Sequence, residues 1–152
     1  MIRSAQRGFT LAELMLALAI LAVIVAIAVP AYSSYVERAK VAQAETDIIA
    51  ISAQIEGYYQ DAHAYPSSLV QVGAAGKLDP WGHPYVYYPL DSANIGEARK
   101  DKNLVPINSD FDLYSVGPDG KSAPPLTAPQ SRDDVVRANN GAFVGLASDY
   151  GQ

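Results

Sequence analysis

Residues 8–30 read Gly-Phe-Thr-Leu-Ala-Glu-Leu-Met-Leu-Ala-Leu-Ala-Ile-Leu-Ala-Val-Ile-Val-Ala-Ile-Ala-Val-Pro, and the rest of the chain takes its meaning from them. From Leu14 to Val29 no residue is polar, and only Thr10 and Glu13 interrupt the run from Phe9 to Val29. As a helix those 21 residues rise about 32 Å, enough to cross a hydrocarbon core of ~30 Å. Arg3 and Arg7 precede the run with no acid beside them, which predicts a cytoplasmic N-terminus and a remainder on the far side. A cleaved signal peptide would have a shorter apolar stretch and a small-x-small site, for which Ala26-Ile27-Ala28 is a weak match. A plain anchor fits the length but leaves Glu13 unexplained. A lone carboxylate in a membrane helix costs on the order of 2–3 kcal/mol, so it is expected to have a partner and a purpose.

Outward from that segment the character changes. Apart from Arg3, Arg7 and Glu13, every charged residue lies beyond Val36. Val41, Ala44, Ile48, Ile51, Ile55 and Tyr58 recur at alternating three- and four-residue spacing, one apolar stripe on a helix. No strong turn signal separates this stripe from the membrane run, so one long helix is expected from about Phe9 to Asp61. Pro30 removes a backbone donor within it and should bend or locally melt it. The helix should stop near Ala62-His63-Ala64-Tyr65-Pro66, because a residue before proline is steered away from helix. Beyond it, Gly73, Gly76 and Pro80 mark loop, and Tyr85–Tyr88 reads as a short strand. Asp91–Ser109 is polar loop, and Phe111–Val116 alternates as a second strand. Gly117-Pro118-Asp119-Gly120 is a turn, Lys121–Gln130 an irregular proline-rich loop, and Asn139-Asn140-Gly141 another turn before a strand at Phe143–Leu146. The fold class expected is α+β, a long N-terminal helix packed on a small antiparallel sheet.

Much chemistry is excluded. The 152 residues include no cysteine, so disulfides, thiolate metal sites and thiol catalysis are absent. A net charge of −5 with no Lys/Arg cluster disfavours nucleic acid, whose phosphates demand a basic face. His63 and His83 are the two histidines, and no third ligand stands at zinc spacing. Ser115, Ser148 and the aspartates form no nucleophile signature, and Gly117–Lys121 has the wrong spacing for a phosphate loop. Tyr85, Tyr87 and Tyr88 suit a sheet and a subunit contact better than a ligand site. No enzyme is visible.

Gly8-Phe9-Thr10-Leu11-Ala12-Glu13-Leu14 resembles the processing site of type IV prepilins and pseudopilins. The resemblance implies a leader at residues 1–8, cleavage between Gly8 and Phe9 by prepilin peptidase, and methylation of the new Phe9 amine. Glu13 becomes the fifth mature residue, placed to pair with the amine of a neighbouring subunit. Pro30 falls where these proteins commonly carry a helix-kinking proline. Residues 9–30 would form the membrane and filament-core helix, 31–62 its amphipathic half, and 63–152 a periplasmic head. Asp79-Pro80-Trp81-Gly82-His83-Pro84-Tyr85 and Asp112-Leu113-Tyr114-Ser115-Val116-Gly117-Pro118-Asp119-Gly120 look like stretches of the major pseudopilin of type II secretion systems.

That resemblance further implies calcium in the C-terminal loop, held by the Val116 carbonyl, Asp119, and Asp133 or Asp134 from a returning strand. Six to eight oxygens would be needed. The competing reading makes Asp119 a turn former and leaves Asp133 and Asp134 solvated or capping a helix. The function implied is a homopolymeric pseudopilus subunit in the inner membrane. Its partners would be lipid, prepilin peptidase, an assembly platform, a partner ATPase and minor pseudopilins. The alternatives are a type IV pilin of a surface fibre and an anchored periplasmic binding domain that never polymerises.

Overall fold

The computed structural model describes residues 8–90 and 95–150 and divides into two units, Met1–Arg38 and Ala39–Gln152. Arg3 and Arg7 of the expected leader lie outside the described residues, as does the start of the polar loop at Asp91. Helix α1 spans Leu11–Ala62 and contains Pro30. In the first unit the side chains from Gly8 to Tyr35 are exposed. Among the described residues α1 is the one helix long and apolar enough to cross a membrane. The helix continues through Pro30, and the hydroxyls of Ser33 and Ser34 donate back to the Pro30 carbonyl at 2.9 and 3.1 Å. Such back-bonding folds two polar groups against the helix where the apolar run ends.

In the second unit the predicted stripe is the buried face. Ala44, Ile48, Ile51 and Ile55 are sealed against Tyr85, Phe111, Leu113 and Val135. Each fully buried isoleucine contributes about 1.5–3 kcal/mol by leaving water. The helix ends as His63, in a left-handed conformation (φ 53°), donates its N–H to the Tyr59 carbonyl at 2.8 Å. Tyr65-Pro66 then prevents further winding.

Four strands form an antiparallel meander in chain order: β1 (Val86–Pro89), β2 (Phe111–Ser115), β3 (Val135–Ala138) and β4 (Phe143–Leu146). Val86 faces Tyr114 across β1 and β2, Tyr114 faces Val136, and Val135 faces Leu146. β4 lies where it was expected after the Asn139-Asn140-Gly141 turn. β1 begins one residue later than expected and takes in Pro89, which an edge strand tolerates, and β2 stops at Ser115 rather than Val116. The β3–β4 connection uses the predicted Asn139-Asn140-Gly141 turn, all three residues at positive φ.

β3 carries no alternation because all four of its residues are buried. Val135 faces α1, while Val136 and Ala138 face a second cluster with Ile107, Leu126 and Ala147, flanked by Tyr114, Phe143 and Tyr150. Loops cover that face. Lys100 donates its N–H to the Pro124 carbonyl at 2.8 Å and accepts from Leu126 at 2.9 Å, so the expected irregular segments pair with each other.

Arg137 lies on the helix side. Its guanidinium grips Asp110 with two bonds of 2.8 and 2.7 Å and stacks 3.9 Å over the Phe111 ring.

Ile51→Ala should destabilise the head by about 2–5 kcal/mol, the usual cost of truncating a sealed core residue. Ile49→Ala, two residues earlier on the opposite side of the helix and 57% exposed, should change stability by less than about 1 kcal/mol. Urea unfolding of the detergent-solubilised chain measures both, and equal effects would mean that the helix register is wrong.

Candidate processing and assembly site

The N-terminal site begins just ahead of α1, which starts at Leu11. Gly8 precedes the helix, and no atom lies within 4 Å of the place a Cβ would occupy. Phe9 is 91% exposed. The Gly8–Phe9 peptide bond therefore lies outside the helical hydrogen-bond ladder, open to an enzyme without unwinding α1.

Thr10 and Glu13 then close on each other. Glu13 Oε2 accepts both the Thr10 N–H and the Thr10 hydroxyl at 2.8 Å, and the Thr10 hydroxyl oxygen accepts the Glu13 N–H at 3.2 Å. This reciprocal capping box satisfies donors that the first turn of any helix leaves unpaired. Its signature, Thr followed three residues later by Glu, was legible in the sequence, although Thr10 drew no role there. The carboxylate stays on the exposed helix surface, so a cation from another chain can still reach it.

In the head, the two long motifs meet. Asp79 Oδ1 accepts the N–H groups of Trp81 and His83 at 3.0 and 2.8 Å, and its Oδ2 accepts the Ser115 hydroxyl. The Ser115 oxygen in turn accepts the Gly117 N–H at 3.1 Å. His83 Nδ1 bonds the Gly117 carbonyl at 2.9 Å. Gly117 (φ 65°) has no room for a side chain, since a Cβ there would meet the Asp133 carbonyl oxygen at 2.5 Å. The cluster is a staple between the β1 approach and the turn after β2, with Ser115 fully buried and closed to substrate.

The four residues expected to hold calcium divide into two groups. Val116 is half-buried at the end of β2, beside the turn that presents Asp119. Asp119 Oδ1 accepts the Lys121 N–H at 2.8 Å, while the Asp119 N–H points to Asp133 Oδ2 at 3.4 Å. Asp119 and Asp133 thus meet at the mouth of the loop. Asp134 does not join them. Fully buried, its Oδ2 accepts Arg99 Nη2 and the Ser122 hydroxyl, both at 2.6 Å. Burial pushes its carboxyl up to about 6, against the downward pull of Ser122 and Arg99. Among the described residues no three acidic or histidine side chains gather as a metal would require. The donors present do not fit a calcium site built from all four residues. Neither Arg99 nor Ser122 was singled out in the sequence, because pairings across 35 and 12 positions leave no local signal.

Residues 3–29 match the family model described as the prokaryotic N-terminal methylation motif. The chain is 35% identical over 141 residues to the type II secretion system core protein G of Pseudomonas aeruginosa, covering 78% of this chain and 88% of that one. The chain belongs to the pilin-like family of core protein G. It is also 31% identical over 137 residues to the core protein G of Escherichia coli, covering 76% and 84% of the two chains. A fimbrial protein of Neisseria meningitidis serogroup B is 34% identical over 153 residues, covering 95% and 86%. No solved structure matches. Family membership agrees with the α+β architecture of one long N-terminal helix on a four-stranded antiparallel sheet, and with an apolar N-terminal helix fit to anchor it in a membrane.

Gly117→Ala should lower stability by about 2–4 kcal/mol, combining left-handed strain with a clash against backbone. Gly73→Ala, at φ 72° with open space around it, should cost only about 1–2 kcal/mol. Chemical unfolding of the two variants side by side tests this, and a smaller loss at Gly117 would show that the turn does not abut Asp133.

Proposed function

We propose that this chain is the major structural subunit of a type II secretion pseudopilus. It is processed by prepilin peptidase, held in the inner membrane with its head in the periplasm, and polymerised to drive protein export. The observation that carries the reading is the placing of Glu13. A carboxylate on an otherwise apolar membrane helix stands five residues after a cleavable glycine, within the matched methylation motif.

The chemistry is consistent. In the lone subunit Thr10 answers the carboxylate locally, which lowers the cost of keeping it in lipid. Cleavage creates a cationic amine at Phe9, and N-methylation leaves that charge in place. In a helical polymer the amine of one subunit pairs with Glu13 of the next and fixes the axial register, because either charge alone in an apolar bundle is expensive. The Pro30 segment sits where the apolar run gives way to the amphipathic half. Force would come from a partner ATPase acting through a membrane platform, with minor pseudopilins completing the filament.

A second reading, a type IV pilin of a surface fibre, is favoured by one specific observation: the match to a fimbrial protein covers 95% of this chain. The Asp79–Ser115 staple joins the two stretches that look like the pseudopilin, and it tips the choice. Loss of secreted protein without loss of surface fibres in a deletion strain would support the pseudopilus, and the opposite pattern the pilus.

The N-terminal residue and mass of the protein from membranes with and without prepilin peptidase should give a methylated Phe9 that depends on the enzyme. An intact Met1, or a cut near Ala28, would overturn the reading and leave an anchored domain that does not polymerise. Glu13→Ala should insert in the membrane and be processed, yet yield at least tenfold fewer filaments on the order-of-magnitude scale of one lost buried ion pair. Normal filament yield would remove the register role.

A further inference from the structure

We infer that the C-terminal loop of this head is closed by a cation the chain carries itself, the guanidinium of Arg99, so that the head folds without calcium. Of the two residues expected to contribute to a metal from the returning strand, Asp133 and Asp134, the second already has a cation of the chain as its partner. Arg99 Nη2 lies 2.6 Å from Asp134 Oδ2, and Ser122 Oγ donates to the same oxygen at 2.6 Å. Arg99 Nη1 donates to Ser122 as well, so serine, arginine and aspartate form a closed triangle. The side chains of Arg99 and Asp134 are 5% and 0% exposed. Among the described residues the other carboxylate oxygen, Oδ1, has no hydrogen-bond partner, so Oδ2 alone carries both contacts.

Arg99 is positioned from three directions. Its backbone N–H donates to Asp112 Oδ2 on β2 at 2.6 Å, and its guanidinium lies 4.3 Å over the Tyr114 ring of the same strand. Its neighbour Lys100 is bonded through the backbone to Pro124 and Leu126 of the loop. One side chain thus joins β2, the loop at Ser122, and Asp134 just before β3. That is the work a loop-closing ion performs: holding the ends of a long segment together against the entropy of its ordering. A divalent ion on Asp134 would sit beside a fixed guanidinium in a dry site, where like charges repel strongly. Asp119 and Asp133 remain at the loop mouth, two carboxylates against a calcium requirement of about six to eight oxygens.

The test uses the full chain in detergent, melted with EGTA or with excess calcium and followed by near-ultraviolet circular dichroism. A structural calcium at about 100 times its dissociation constant would raise the midpoint of a domain this size by roughly 10 °C or more. We expect no such rise. Arg99→Met should lower the midpoint by roughly 10 °C or more and speed amide exchange across 122–131, because it strands a buried carboxylate. Arg99→Met combined with Asp134→Leu should recover most of that loss, since removing both charges leaves an apolar pair. A calcium-dependent rise in the wild-type midpoint would overturn the inference. So would unchanged exchange across 122–131 in Arg99→Met. If that variant does not fold, the wild-type melts and the double variant still decide, and a double variant no more stable than the single one counts against the inference.

Discussion

A four-stranded sheet has two faces, and among the described residues of the second unit one α-helical stretch is there to cover them. That shortage governs the head. The stripe from Ala44 to Ile55 seals one face, while the other must be closed by loops that lack the periodic hydrophobes of a helix. Loops bring backbone polar groups with them, and buried polar groups must find partners. The pairing of Lys100 with Pro124 and Leu126, and of Ile107 with Arg99, meets that demand. The chain has no cysteine with which to tie the loops covalently. Two buried arginines take up the task, Arg137 on the helix side with Asp110 and Arg99 on the loop side with Asp134.

Buried ion pairs are poor sources of net stability, because desolvation of both partners offsets much of their attraction. Their contribution here is better understood as specificity. Arg137 pairs its charge with Asp110, just before β2, at 2.7 Å and with Glu56 of α1 at 3.7 Å, and it stacks on Phe111, which ties β3 to β2 where their paired ladder is just two residues long. The Asp79–Ser115–Gly117 staple performs a similar service where the chain enters β1. Polar contacts set the register, while burial of the two apolar clusters supplies the hydrophobic driving force.

The division between what could and could not be read in the sequence follows the range of the interactions. α1, its buried stripe, the Asn139-Asn140-Gly141 turn and β4 rest on periodicity or on local turn chemistry, and the structure places them at the expected positions to within two residues. β3 rests on neither. Buried on both faces, Val135-Val136-Arg137-Ala138 shows no alternation, and an arginine at its third position disguises it as surface. It appeared beforehand only as the returning strand that the resemblance implied. Arg99 lay inside a segment read as polar loop, and nothing near it in sequence announces Asp134. The N-terminal methylation motif was legible because the residues that carry it are neighbours: Gly8, Phe9 and Glu13 fall within six positions of the matched segment.

That closeness bears on how a subunit could leave the membrane. A carboxylate in lipid can be made tolerable by protonation, by a cation, or by neutral donors. Thr10 supplies two neutral donors from within the same turn. Because they are part of the subunit, the lone helix needs no partner to remain inserted, and because they are uncharged, they answer the carboxylate less strongly than a cation would. Under the proposed pairing, a neighbour's amine would displace or supplement them with a net gain, whereas a preformed internal salt bridge would leave less to be gained on assembly. On that proposal, a carboxylate capped by a threonine would be stable enough to wait in the membrane and would still favour the polymer. Local capping of this kind makes storage and assembly compatible in a single short motif.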